Sequence, residues 1–279
     1  MHKMKTFMLM FTLFILFIFL GGAIAGEDGM IMAFIFALGI NVLSYWHSDK
    51  IAIKMTKAKP LSEQEAPEIH DMVRRLSNKA RIPMPRVYIT PSSQPNAFAT
   101  GRNPTHGVVA VTRGIVNLLD RDELEGVIAH ELAHIKNRDT LISTIAAVMA
   151  GALAFLARMG RYRMIFGGRR RNSKNGGALL QIAAMILAPL AGIIIRMAIS
   201  RSREYLADQE GARIAGKPDG LANALQKMQR HVHGRQMKVN QATSHMFILN
   251  PFSGRGGISK LFSSHPPTEE RIQKLRTMR

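Results

Sequence analysis

The run Asp120-Arg121-Asp122-Glu123-Leu124-Glu125-Gly126-Val127-Ile128-Ala129-His130-Glu131-Leu132-Ala133-His134 decides how the rest of the chain is read. Asp120 stands where an N-cap belongs, and acidic residues crowd the first turn, where the helix dipole favours them. At about 100° per residue Leu124, Ile128, Leu132 and Ile135 form one apolar stripe, so the spacing predicts a helix. On it His130 and His134 lie about 40° apart and one turn along the axis, and both imidazoles point the same way. A single metal ion requires that. Glu131 lies about 60° from His134 on the side of the apolar stripe, badly placed to ligate the same ion but able to reach a water bound to it.

Two histidines do not complete a catalytic zinc site, which takes a third protein ligand and keeps one position for water. Ser200-Arg201-Ser202-Arg203-Glu204-Tyr205-Leu206-Ala207-Asp208 reads as a helix on which Glu204 and Asp208 share a face. One is free to bind metal and the other to orient a ligand imidazole. Zinc held by two neutral imidazoles and one carboxylate lowers its water's pKa to roughly 7, and Glu131 can then take the proton as a hydroxide attacks a peptide carbonyl.

Composition agrees with oxygen and nitrogen ligation. The chain has 279 residues, 47% hydrophobic and 20% charged, and no cysteine. Disulfide scaffolds, thiolate zinc fingers, iron–sulfur clusters and thiol catalysis are excluded. A net charge of +19 fits either nucleic acid or anionic lipid as a partner. The placement of apolar residues favours lipid.

Between Lys5 and Glu27 there is no charge, and Phe7 to Leu20 is almost unbroken Phe, Leu, Ile and Met, long enough to cross hydrocarbon. A cleaved signal peptide ending near Ala23-Ile24-Ala25 is the rival, but the run is longer than such segments and a second, Met30 to Trp46, follows at once. The two read as a hairpin turning at Glu27-Asp28-Gly29. Lys3 and Lys5 precede it and Lys50, Lys54, Lys57 and Lys59 follow, so the positive-inside rule puts both ends in the cytoplasm. Thr140 to Ala157 and Asn175 to Ile195 are two further uncharged stretches, but the loop between them holds Arg158, Arg161, Arg163, Arg169, Arg170, Arg171 and Lys174. This pair either spans against the rule or forms helices buried near the cytoplasmic face. The Arg169-Arg170-Arg171 cluster lacks interleaved aromatics and suits headgroups rather than bases, and no nucleic-acid-binding motif is present.

Outside these stretches, Ser62 to Lys79 has helical periodicity with a Ser62/Glu65 capping box, and Pro83 and Pro85 end it. Arg86–Thr90 and Gly107–Thr112 read as strands, with Asn96-Ala97-Phe98-Ala99-Thr100 as an edge strand between them. The segment after Arg196 reads as mostly helical. Gly211-Ala212-Arg213-Ile214-Ala215-Gly216-Lys217 falls short of a phosphate loop because Pro218 stands where Ser or Thr would hold magnesium, so ATP binding is not expected. His231-Val232-His233 lacks the carboxylate of a second metal site.

His130-Glu131-Leu132-Ala133-His134-Ile135-Lys136-Asn137-Arg138-Asp139, then Glu204-Tyr205-Leu206-Ala207-Asp208, then Ser264-His265-Pro266-Pro267-Thr268-Glu269-Glu270-Arg271, behind two N-terminal spans, closely resembles the HtpX family of membrane-bound heat-shock zinc metalloproteases, of gluzincin type. The CaaX prenyl endoproteases are more distant relatives. The likeness covers nearly the whole chain. It implies one Zn2+ per chain held by His130, His134 and Glu204, Glu131 as catalytic base, and Asp208 supporting a ligand. It also implies proteolysis of damaged or misfolded membrane proteins, in a role overlapping that of an ATP-dependent membrane protease. His265 and Arg203 resemble positions that contact the site and are candidates to stabilise the oxyanion. Asn96, Ala97 and Phe98 resemble the edge strand on which related proteases capture extended peptides.

The expected architecture is mainly α with a small β-sheet, an α+β zincin-like catalytic domain plus transmembrane helices. Residues 1–47 form the hairpin, 48–139 and 196–279 together form one cytoplasmic protease domain, and 140–195 form a hydrophobic helical hairpin with a basic loop. The expected location is the inner cell membrane, multi-pass, with the active site facing the cytoplasm. The alternatives are a prenyl-protein endoprotease and, in a different class, a non-enzymatic basic membrane adaptor.

Overall fold

The computed structural model describes residues 2–141, 201–232, 248 and 266–278. Helix α1 (His2–Trp46) is helical along its whole path, yet the rings of Phe14 and Phe34 lie 5.1 Å apart and those of Phe17 and Phe36 6.0 Å apart. In a straight helix Phe14 and Phe34 would be separated by about 30 Å. The helix therefore doubles back. The reversal falls between Gly22 and Gly29, because a β-carbon on Gly21 would lie 2.2 Å from the Gly29 carbonyl oxygen. Only glycine lets the two arms approach so closely. Among the described residues no helix is long and apolar enough to cross a membrane.

Helix α2 (Ser48–Thr56) leads into the four-stranded sheet, whose strands are β1 (Lys59–Pro60), β2 (Arg86–Thr90), β3 (Ala97–Thr100) and β4 (Val108–Thr112), in spatial order β1-β2-β4-β3. The longer strands fall within a residue or so of the expected segments. β2 and β4 run parallel, Arg86 opposite Val108, while β3 runs antiparallel to β4, Ala97 opposite Val111. All five residues of β4 are buried, as a central strand demands. β1, which the sequence did not suggest, is two residues on the opposite edge, where Pro60 need not donate to a ladder.

Helix α3 (Pro67–Ala80) begins four residues later than the capping signal indicates, with Ala66 rather than Ser62 at its N-cap. The reciprocal bonds of that signal do form, Ser62 N to Glu65 Oε2 at 3.0 Å and Glu65 N to Ser62 Oγ at 3.3 Å. They close a turn instead. Ala66 precedes Pro67, whose ring disfavours helical geometry in the residue before it, and Ala66 sits at φ −148°, ψ 66°.

After a short helix α4 (Arg113–Leu118) comes α5 (Arg121–Asn137), started by a true capping box: Asp120 Oδ1 accepts from Glu123 N and Glu123 Oε2 accepts from Asp120 N, both at 2.9 Å. Arg138 at φ 60° ends it, and residues 139–141 continue helically. Helices α6 (Arg201–Ala215), α7 (Asp219–Val232) and α8 (Thr268–Arg276) complete the description.

Two glycines set how these helices meet α5. A β-carbon on Gly126 would lie 2.4 Å from Leu221 N, so α7 packs backbone to backbone there. One on Gly211 would lie 2.9 Å from both Cα and N of His130, bringing α6 equally close to the histidines. Gly211 thus serves helix packing. Leu76, Val109, Val111, Ile128, Leu132, Leu225 and Met228 belong to one continuous core beneath this junction. Residues 142–157 and 175–195 of the second hydrophobic pair, the basic loop between them, residues 254–257 and His265 lie outside the described residues.

Candidate metal centre and active site

Helix α5 presents His130 and His134, and α6 presents Glu204 across the contact that Gly211 permits. The two Nε2 atoms are 3.2 Å apart, His134 Nε2 is 3.5 Å from Glu204 Oε1, and His130 Nε2 is 3.8 Å from Glu204 Oε2. Tetrahedral zinc with ligand bonds of about 2.0–2.1 Å sets its donors about 3.3 Å apart, so these separations fit such an ion.

The other ring nitrogens strengthen the case. His130 Nδ1 lies 3.0 Å from Asp208 Oδ1, set off the ideal hydrogen-bond direction. His134 Nδ1 lies 3.3 Å from Asp139 Oδ2. With each Nδ1–H turned to a carboxylate, both Nε2 atoms carry lone pairs. Two lone pairs 3.2 Å apart repel unless a cation sits between them or one nitrogen holds a proton. The donor set, two imidazoles and a carboxylate with no thiolate, suits zinc.

Arg271 of α8 underlies the site. It is 1% exposed and forks Asp208 with Nε to Oδ2 at 2.9 Å and Nη2 to Oδ1 at 2.7 Å. Its Nη1 donates to the Ile248 carbonyl at 3.0 Å and stands 3.7 Å from Glu204 Oε2. Burial opposes ionisation of Asp208, but the guanidinium wins and holds that carboxyl down at about 2. The same pairing, against burial, raises Arg271 above its usual range.

Burial lowers His130, favouring the neutral ring that a ligand needs. Burial also opposes protonation of His134, yet the bond to Asp139 and the charges of Glu204 and Glu131 push it up to about 9. Glu131, 5% exposed, is raised to about 7 by burial, with Glu204 adding to the rise and His134 and a hydrogen bond from the Ala99 backbone opposing it.

That backbone belongs to β3, the edge strand of the sheet among the described residues. Thr112 N donates to Asn96 O, so in this antiparallel ladder Asn96 and Phe98 pair with β4 while the N–H and C=O groups of Ala97 and Ala99 point away from it. The side chains of Ala97 and Phe98 are buried. Asn96 Oδ1 accepts from Ile248 N at 3.0 Å, so the amide is built into the wall beside the edge. Arg203 is largely buried, its Nε 4.0 Å from Asp139 Oδ1, and burial lowers its pKa.

The expected ligands His130, His134 and Glu204 are thus brought together, with Glu131 and Asp208 beside them. Asp139 and Arg271 received no role from the sequence. For Arg271 a signal existed: it lies one turn before Leu275, on the face that α8 buries. Asp139 follows a left-handed cap at Arg138 that no periodicity would extend through.

Comparison with known proteins agrees with this arrangement. Residues 63–279 match Peptidase family M48. A "Protease HtpX homolog" from Salinibacter ruber is 55% identical over 279 residues, covering 100% of this chain and 98% of that one. A protein of the same name from Pelotomaculum thermopropionicum is 52% identical over 281 residues, covering 100% and 99%. The crystal structure of S. mikatae Ste24p aligns with a TM-score of 0.55 at 18% identity, covering 98% of this chain and 65% of that one, a likeness of fold. With two imidazoles, a carboxylate and a buried glutamate gathered at one point, and with these relatives matching along its full length, the chain belongs to peptidase family M48, among the HtpX proteases.

Proposed function

We propose that the chain is an integral-membrane zinc endopeptidase that clears damaged or misfolded membrane proteins, with His130, His134 and Glu204 as ligands and Glu131 as general base. The observation that carries this is the triangle of donor atoms, 3.2 to 3.8 Å on its sides, with the carboxyl of Glu131 buried beside it. A bound zinc ion supplies an activated water and polarises the scissile carbonyl. Glu131 is the group placed to take a proton from the water and return it to the leaving nitrogen. Asp208 and Asp139 hold the two rings in the ligating tautomer. We take β3, whose Ala97 and Ala99 turn their backbone groups away from β4, as the strand on which an extended peptide would pair, a mode that ignores side-chain identity, as quality control requires. Arg203, beside Asp139, and His265 remain the candidates for oxyanion stabilisation.

The membrane reading rests on the two arms of α1. Phe19, Met32 and Ile35 are 73%, 70% and 61% exposed, within a band that also includes Phe11, Ile15, Ile31 and Leu43. Exposed apolar side chains in this number mark contact with lipid or protein, and in the sequence the two charge-free runs are each about the length of a span. Lysines flank both open ends of the hairpin, which supports a protease domain, residues 48–139 and 196–279, on the cytoplasmic side of the cell membrane. Residues 142–195 lie outside the described residues, and their sequence, with Arg169, Arg170 and Arg171, suits a second hydrophobic pair and contact with anionic lipid.

Membership of a peptidase family sets the adaptor reading aside. The prenyl-endoprotease reading has only the fold-level likeness to Ste24p against relatives 55% identical that carry the HtpX name. The test is casein hydrolysis by the detergent-purified protein. Activity abolished in Glu131→Gln with zinc content unchanged supports the assignment; full activity in that variant overturns it.

A further inference from the structure

We propose that a cleft at the root of the hairpin binds the headgroup of one anionic phospholipid. The proposal rests on the membrane reading of α1. The cleft, about 400 Å³, lies where α1 passes into α2, against the chain entering β2 and the short 3-10 turn Pro104–His106, and its lining includes Trp46, Lys50, Arg86, Arg102 and His106.

Arg102 is fixed in place before any ligand arrives. Its guanidinium stands 5.1 Å from the centre of the Trp46 ring, Nη1 donates to the Trp46 carbonyl at 3.3 Å, and Nη2 meets His106 Nε2 at 2.7 Å. His106 Nδ1 lies 2.8 Å from Asn103 Oδ1, which leaves Nε2 as the acceptor from Arg102. Of five guanidinium N–H groups, three remain for a phosphate.

Charge counting makes the cleft cationic. Arg86 is neutralised by Asp49 at 2.5 Å, and His47 completes the titratable lining. Lys50 and Arg102 have no carboxylate partner among the described residues, so two positive charges face the space. A free phosphate would satisfy them, but the position of the cleft favours a lipid. Trp46 forms its rim, directly beyond the exposed Leu38, Val42 and Leu43 of α1. Acyl chains can lie along that strip while the headgroup fills the cleft, and tryptophan prefers this depth.

The full chain is reconstituted in vesicles of equal phosphatidylglycerol and phosphatidylcholine, extracted, and its retained lipids counted by native mass spectrometry. One phosphatidylglycerol per chain is expected, in clear excess over phosphatidylcholine. Lys50→Gln with Arg102→Gln should reduce that preference about 30-fold, from about fivefold per cation near a membrane surface. Zinc content equal to wild type shows that the variant is folded, and the wild-type ratio is a test by itself. Equal retention of the two lipids by wild type overturns the proposal, as does displacement of the lipid by millimolar inorganic phosphate, which would make the site one for the free anion. Flotation with pure phosphatidylcholine vesicles separates the two readings. A chain that floats without lipid preference loses only the headgroup site, whereas one that does not float loses the membrane reading as well.

Discussion

Gly211 and His130 touch through their backbones: a β-carbon at 211 would come within 2.9 Å of His130 Cα and N. Glu204 and Asp208 ride on the same helix as Gly211, so this contact fixes how far they stand from the imidazoles. Gly211→Val must push α6 away, and the metal affinity should fall about 10- to 100-fold, the loss typical when the support of a ligand is disturbed. Competition with a chromophoric chelator measures it. Unchanged affinity would mean that α6 yields without moving its acids.

Arg271 offers a sharper test of the buried charges. Removing one partner of a buried pair costs about 3–5 kcal/mol because the other charge is left uncompensated. Arg271→Met should therefore lower the denaturation midpoint and loosen metal binding together. Arg271→Lys should rescue little, since an ammonium cannot reproduce the fork to both Asp208 oxygens. Wild-type stability in the methionine variant would assign Arg271 no structural part.

Zinc binding should release a proton. In the metal-free protein His134 is raised to about 9, so below that pH the ring is charged and must deprotonate to ligate. Affinity should rise with pH and level off near 9, changing about tenfold per unit below it. Calorimetry in buffers of different ionisation enthalpy counts the protons released near neutral pH, about one if the reading is right and none if His134 is already neutral. The sign for stability runs the other way: a raised imidazole stabilises the metal-free fold below its unfolded value of about 6.5, and that contribution is lost as pH climbs through about 9.

Ala97 tests the sheet edge. Its N–H points away from β4, so Ala97→Pro removes one donor to an incoming peptide without cutting the ladder. One backbone hydrogen bond is worth about 0.5–1.5 kcal/mol, so kcat/KM should drop roughly 2- to 12-fold with zinc content unchanged, and because Ala97 is 1% exposed the added ring also lowers the melting temperature. Equal cleavage by the variant would remove β3 as the substrate's partner.

How far the residues foretold this arrangement depends on the range of each interaction. The helix of His130 and His134 is written locally, in the Asp120 cap and the Leu124, Ile128, Leu132 stripe, and the Glu204–Asp208 spacing is a one-turn repeat. Those were legible. Which acid meets the metal edge was settled in the sequence only by resemblance, because Glu204 and Asp208 share a face. The start of α3 was misplaced because a local capping signal at Ser62 competes with the proline restriction at Ala66, and the latter dominates the backbone. Arg271, Asp139 and the Ile248 peptide act across long separations, where no period in the chain records the contact. Asn96 shows the same limit: its place in an edge strand was readable, its bond to Ile248 was not.

The ligands come from helices whose nearest contributors, His134 and Glu204, stand about 70 residues apart in the chain. An ion joining them is a clasp as well as a reagent, since it favours the folded arrangement over every unclasped one by mass action. A copy stripped of zinc is thus disarmed and loosened in one event. On the function proposed above, such a copy takes on the condition of the very molecules its intact neighbours would remove.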